Sequence, residues 1–231
     1  MLNETQGSAR LQYGETMALA AVYGPAQPRY SRHEHFDEAV VEVSYNLAAP
    51  PPSASDPATP AAGAELARLE RDGARQIQQI LASCIDLKSC PRMLILIDVS
   101  VLRSDGAILS TAINACALAL LDSGIPMLFV PMALHCLFGG ADVENQTKLL
   151  CTSAEAEATA QSSVTFAFRQ SSTPAGNNNN NDDDDDDAKN LKIVATIATG
   201  VFDISLLERA WAECVANSHT VRSFFSKVVR R

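Results

Sequence analysis

The sequence predicts a single domain of mixed α and β structure, an α+β or α/β fold. Three observations predict it. Strand-like runs outnumber helix-like ones, the two kinds interleave along the chain, and the helical stretches are long enough to cover a mixed sheet. With 231 residues, 47% of them hydrophobic and 19% charged, the chain has the apolar content to bury a substantial core.

The elements follow in order. Residues 8–12 alternate small or apolar with polar side chains, and Gly14-Glu15 reads as a tight hairpin turn. Residues 17–23 form a second, apolar strand ended by Gly24-Pro25, and the β-branched content of 39–45 predicts a third. Over 64–84, Leu66, Leu69, Gly73, Ile77, Ile80, Leu81 and Cys84 share one helical face with charges opposite. Residues 93–102 are a continuous apolar run with one internal charge, Asp98, which predicts a buried strand. A helix of small and apolar residues follows over 110–123, then a strand over 127–137 and a turn at Gly139-Gly140. Further strands are predicted over 147–151, 162–168 and 191–199. Asp203 then reads as the N-cap of a last helix that runs through Trp211, Val215 and Val221 to Phe225. The predicted order is βββ-α-β-α-ββββ-α.

Two low-complexity segments interrupt this pattern. Residues 48–63 are rich in Pro, Ala and Ser, which suits an extended, poorly ordered loop. Residues 171–187 contain five Asn and then six Asp; such a run repels itself and has nothing to bury, so disorder is expected. Its carboxylates have no preformed geometry, which suits only weak metal binding. The formal charge is −9, but six negatives lie in that one run, so the rest of the chain carries −3. This balance excludes a strongly basic protein that coats nucleic acid along its whole surface. No apolar stretch approaches the roughly 20 residues of a membrane span, and residues 1–6 have neither the basic region nor the apolar core of a signal peptide. The six cysteines, Cys84, Cys90, Cys116, Cys136, Cys151 and Cys214, lack zinc-ligand spacing and sit mostly in apolar runs, so buried reduced thiols are expected.

Three motifs carry a family resemblance. The first is Gly7-Ser8-Ala9-Arg10-Leu11-Gln12-Tyr13-Gly14-Glu15-Thr16 followed by Ala20-Ala21-Val22-Tyr23-Gly24-Pro25. The second is an apolar strand from Val99, then Ser104-Asp105-Gly106, then a helix opening near Ser110-Thr111-Ala112-Ile113-Asn114-Ala115. The third is Ala119-Leu120-Leu121-Asp122-Ser123-Gly124-Ile125-Pro126-Met127. Their order and spacing resemble the RNase PH family, and within it the small, RNase PH-like ring subunits of the eukaryotic RNA exosome. The resemblance implies a duplicated βαβα core with mixed sheets covered by helices, the second half beginning at Met93. It also implies a six-membered ring that encloses a channel for single-stranded RNA.

Active members of that family hold inorganic phosphate at the start of the central helix with Gly-Thr-Arg or Gly-Ser-Ser-Arg. Exposed N–H groups and the helix dipole bind a dianion there, and the arginine adds a bidentate fork. Here the corresponding stretch is Ala107-Ile108-Leu109-Ser110, with Leu109 in the arginine's place; Ser110 and Thr111 are left as helix caps. The family's two acids, six positions apart, fall on Cys151 and Glu157, and a thiol is a poor substitute for a carboxylate toward a hard cation. Gln79 and Ala82 stand where arginines on the first long helix belong. Three parts of the phosphorolytic site are therefore degraded, and a catalytic role, a cofactor and a metal are not expected.

The resemblance implies a structural subunit in RNA processing and degradation, rRNA maturation included. Its implied partners are other RNase PH-like ring subunits, cap subunits, an associated hydrolytic nuclease, and single-stranded RNA held weakly without sequence preference. The implied location is the nucleus, nucleolus included, and the cytoplasm. Arg103, beside the altered phosphate loop, is the candidate RNA contact, with pairing to Asp105 as its alternative role. The competing reading is an active phosphorolytic or hydrolytic 3′–5′ exoribonuclease working as a homo-oligomer. Other candidates are weaker: His33, Glu34 and His35 lack a third ligand nearby, His135 reads as a satisfied core histidine, and Trp211, Phe224 and Phe225 read as packing residues.

Overall fold

The computed structural model describes residues 5–27, 35–48, 60–138, 147–149, 153–170, 191–201 and 203–229. Two four-stranded sheets carry the fold. The first half of the chain supplies β1 (Gly7–Tyr13), β2 (Thr16–Ala26), β3 (Val40–Leu47), α1 (Pro60–Cys84), β4 (Leu94–Arg103) and α2 (Ile108–Ser123). The second supplies β5 (Met132–Phe138), β6 (Thr147–Leu149), α3 (Ala154–Thr159), β7 (Ser162–Gln170), β8 (Leu191–Gly200) and α4 (Ile204–Val229). The first sheet has the order β1-β2-β4-β3, with β3 and β4 parallel; the second has the order β6-β5-β7-β8 and is antiparallel throughout.

The mixed fold agrees with the sequence reading, and four details correct it. Strand β4 belongs to the first sheet, so the second half of the fold begins after α2 and not at Met93. Helix α1 starts at Pro60, which the first turn tolerates because it lacks only an N–H with no helical partner; the last four residues of the 48–63 segment are therefore helical. Strand β5 starts at Met132, and Met127 makes only a single bridge to Ile85. Helix α3 was not foreseen: six residues of Ala, Glu and Thr favour helix but are too few to show a period. Residues 49–59 and 171–187, Gly139-Gly140 and Cys151 lie outside the described residues.

Strand β4 is buried on one face only. Ile95, Ile97, Val99 and Val101 are fully buried, while Asp98 lies on the outer face and accepts a hydrogen bond from Asn46 Nδ2 at 3.3 Å. The apolar run therefore hid a period-2 pattern. On the inner face α1 crosses β3, and its polar side chains satisfy that strand's backbone. Gln78 Nε2 donates to the Val41 carbonyl at 2.7 Å, and the Leu47 N–H donates to Glu70 Oε1 at 2.9 Å.

Helix α2 touches β1, β2 and β4 of the first sheet and β5 and β7 of the second. Its buried residues are mostly small, among them Ala112, Ala115, Cys116 and Ala119, so both sheets can approach the helix axis closely. Asn114 joins it to β5 through both amide atoms: Nδ2 donates to the Ala133 carbonyl at 2.9 Å, and the Ala133 N–H donates to Oδ1 at 2.8 Å. Strand β5 is buried along its whole length and is packed by both α2 and α4. Trp211 of α4 meets the rings of Phe166 and Phe168 edge-on at 5.6 and 6.4 Å.

The approach of β1 to α2 depends on Gly7, where an added Cβ would stand 2.3 Å from the Ala119 carbonyl oxygen and 2.5 Å from the Ser123 nitrogen. Backbone atoms cannot yield as a side-chain tip can. Gly7→Ala is expected to lower the unfolding free energy by about 1–3 kcal/mol, measured by urea denaturation, and an unchanged midpoint would contradict this packing.

Candidate functional site

The site is built on the loop that joins β4 to α2. Thr16, fully buried at the start of β2, sets its shape: Oγ1 donates to the Gly106 carbonyl at 2.8 Å and accepts from the Asp105 N–H at 2.9 Å. Gly106 (φ 86°) and Ala107 (φ 50°) both adopt left-handed backbone. Glycine does so freely, whereas the alanine methyl costs about 1 kcal/mol.

Helix α2 begins at Ile108 without a side-chain cap. Ser110 and Thr111 do not cap it as expected: both hydroxyls turn back and donate to the Ala107 carbonyl at 2.9 Å. They already stand inside the helix, where the carbonyl three or four residues back is their nearest partner.

A carboxylate arrives from elsewhere. Glu157 of α3 comes up beside the Ala107 N–H, and Asp105 Oδ1 accepts from the Ala154 N–H at the start of α3, at 3.0 Å. Each helix start thus receives an acid from the other segment, the placement its dipole favours. Burial pushes the Glu157 carboxyl up, and the Ala107 N–H holds part of that rise down. Glu157 Oε1 lies 3.6 Å from Nε2 of His135, whose Nδ1 is 2.9 Å from Thr165 Oγ1. Burial lowers the His135 pKa to about 4, so the ring is neutral at pH 7. The contact with Thr165 suits either tautomer, and Nε2 is the ring nitrogen that faces the Glu157 carboxyl. That nitrogen is buried without a hydrogen-bond partner, so His135 is only half satisfied, against the sequence reading; 3.6 Å is too long for a hydrogen bond.

The other predicted positions disperse. Leu109 is half-buried and packs against the core. Gln79 is exposed and lines a crevice between α1 and β8 with Gln76, Ser83 and Thr196, while Ala82 is half-buried on the same helix. Arg103 pairs with Glu15 at 2.6 Å, both side chains well exposed, and not with Asp105, whose carboxylate is held by α3. Cys151, His33 and Glu34 lie outside the described residues, and His35 is exposed. Phe225 is buried and Phe224 partly exposed. Among the described residues no three His, Cys, Asp or Glu side chains converge as a metal site. Sequence reasoning missed Thr16 and Asp105 as the parts that shape the loop; the Gly14-Glu15-Thr16 motif was visible, but its hydroxyl's partners were not.

The RNase PH profile, described as the 3′ exoribonuclease family, domain 1, matches residues 1–126. The chain belongs to the RNase PH family. That match covers β1 through α2 and the whole loop that shapes the site. Among its relatives, the Oryza sativa subsp. japonica "Exosome complex exonuclease RRP46 homolog" is 31% identical over 135 residues, which is 58% of this RNase PH chain and 50% of the rice protein. The Methanosarcina mazei "Exosome complex component Rrp41" is 32% identical over 145 residues, 62% of this chain and 27% of that one. The chain spans about half or less of the length of these curated relatives. In three dimensions it matches the crystal structure of rice Rrp46 with a TM-score of 0.73 at 21% identity, covering 99% of this chain and 90% of that one. That likeness establishes the RNase PH-like fold.

The buried imidazole makes stability depend on pH. Between pH 6.5 and about 4 the unfolded chain takes up a proton that folded His135 refuses, so stability present above 6.5 is lost as the pH falls through that window. Glu157, shifted upward, acts in the opposite sense over the acid range. Comparing wild type with His135→Gln retains Glu157 in both. The variant is expected to gain about 2–3 kcal/mol on wild type between pH 7 and pH 4.5, read from urea midpoints; a flat difference would refute a neutral buried ring.

Proposed function

We propose that this chain is a non-catalytic subunit of an RNA exosome ring, supporting 3′-to-5′ RNA processing and degradation through assembly. One observation carries the reading: an acid of the chain itself, Glu157 of α3, comes up beside the Ala107 N–H at the start of α2. A phosphate at that place would displace an internal anion and lie near Asp105 as well, with Leu109 in place of a guanidinium. Each missing Arg–phosphate bond removes on the order of 1.5–3 kcal/mol of binding. Arg103 is engaged by Glu15, and Gln79 offers a neutral amide, so neither supplies the absent clamp. The exosome names borne by the relatives support the assembly role.

In this reading the partners are other RNase PH-like subunits, cap subunits and an associated hydrolytic nuclease. Single-stranded RNA in the shared channel touches this subunit weakly and without sequence preference. The subunit works in the nucleus, nucleolus included, and in the cytoplasm. Purified protein incubated with 5′-labelled oligo(A), Mg²⁺ and phosphate should leave the RNA at full length, and native mass spectrometry of tagged protein from its own cells should recover RNase PH-like chains. Processive shortening that Glu157→Gln abolishes would overturn the non-catalytic role, and recovery without such chains would overturn the ring role.

A further inference from the structure

Cys136 on β5 and Cys214 on α4 stand with their sulfurs 3.1 Å apart, and both are buried. Neither belongs to the site at the start of α2. We propose that this pair is a redox latch: a hydroperoxide converts it to a disulfide that fixes α4 to the second sheet.

The geometry is close to what the bond needs. A disulfide holds its sulfurs at about 2.05 Å, so they must close by only about 1 Å. The position is also the one where a bond would matter most. Of the described residues of α4, only Ala210, Cys214 and Phe225 are buried, a narrow stripe down one side of a 26-residue helix. Ile204 near one end is 77% exposed and Val228 near the other is 42% exposed. The helix therefore adheres along one seam, and Cys214 lies within it. The hydrogen bond with Cys214, and then burial, push the Cys136 thiol up. The docked Cys136 thiol is held protonated and inert, and oxidation begins when α4 lifts from the sheet.

The chemistry then runs in two balanced steps. The Cys214 thiolate attacks the peroxide; the O–O bond breaks, an alcohol (water, from hydrogen peroxide) leaves with the thiol's proton, and Cys214 becomes a sulfenic acid. On redocking, the Cys136 sulfur attacks the Cys214 sulfur. The S–S bond forms, the S–O bond breaks, and water leaves with the second proton. Two thiols lose two electrons and the hydroperoxide gains them. The bond spans 78 positions of sequence, a long loop whose closure removes much freedom from the unfolded chain.

The test treats folded, reduced protein with hydrogen peroxide, blocks remaining thiols and maps peptides without reductant. The Cys136–Cys214 peptide should be the main cross-link. Tm should rise by roughly 5–10 °C, and amide exchange along α4 should slow at least tenfold. Dithiothreitol should reverse all three changes, and Cys214→Ala should show none. A pair that stays reduced while the partly exposed Cys90 oxidises would overturn the proposal, and so would a cross-link that leaves Tm and α4 exchange unchanged. Should Cys214→Ala fail to fold, the wild-type comparison with and without dithiothreitol gives the same decision.

Discussion

The fold depends on how closely two sheets can be brought to one helix. Helix α2 is flanked by both, and the distance is set by side chains of one carbon or none: Gly7 on β1, and Ala112, Ala115 and Ala119 on the helix. Larger residues would add apolar area but force the layers apart, and in a closely packed interior that trade is unfavourable. Asn114 completes the arrangement, because its amide copies the donor and acceptor of a neighbouring strand for Ala133. With α2 fixed at both faces, the loop that starts it is fixed as well.

That loop decides the chemistry. Thr16 holds Asp105 and Gly106, Asp105 holds the start of α3, and α3 brings Glu157 back beside Ala107. The circuit ties the starts of two helices to the start of β2. Its weak member is His135, buried with one nitrogen unmatched beside Glu157. A buried polar atom without a partner costs about 1–3 kcal/mol, which marks this corner as the place where the core was not made for stability alone.

Much of the fold was legible in the sequence because its signals are local. The Gly14-Glu15 turn, the period of α1 and the motif around Asp122-Ser123-Gly124 each fix an element within a few residues. What escaped depends on contacts between distant segments. Asp98 looked like an isolated charge in a buried strand because its partner Asn46 comes from another strand. Helix α3 was missed because its start is held by an acid 49 residues away. At the site the motif placed Leu109 in the loop before α2, whereas Arg103, paired with Asp105 in the alternative sequence reading, meets Glu15 of the hairpin turn instead, a partner set by how two distant segments pack.

Ala107 adds one more consequence. Its backbone keeps a bend natural to glycine and disfavoured for its own methyl, and the residues just before it are held by Thr16. Anyone wishing to build anion capture on this scaffold would find the curvature already in place. The labour would lie in moving the acid beside it and in supplying a cation.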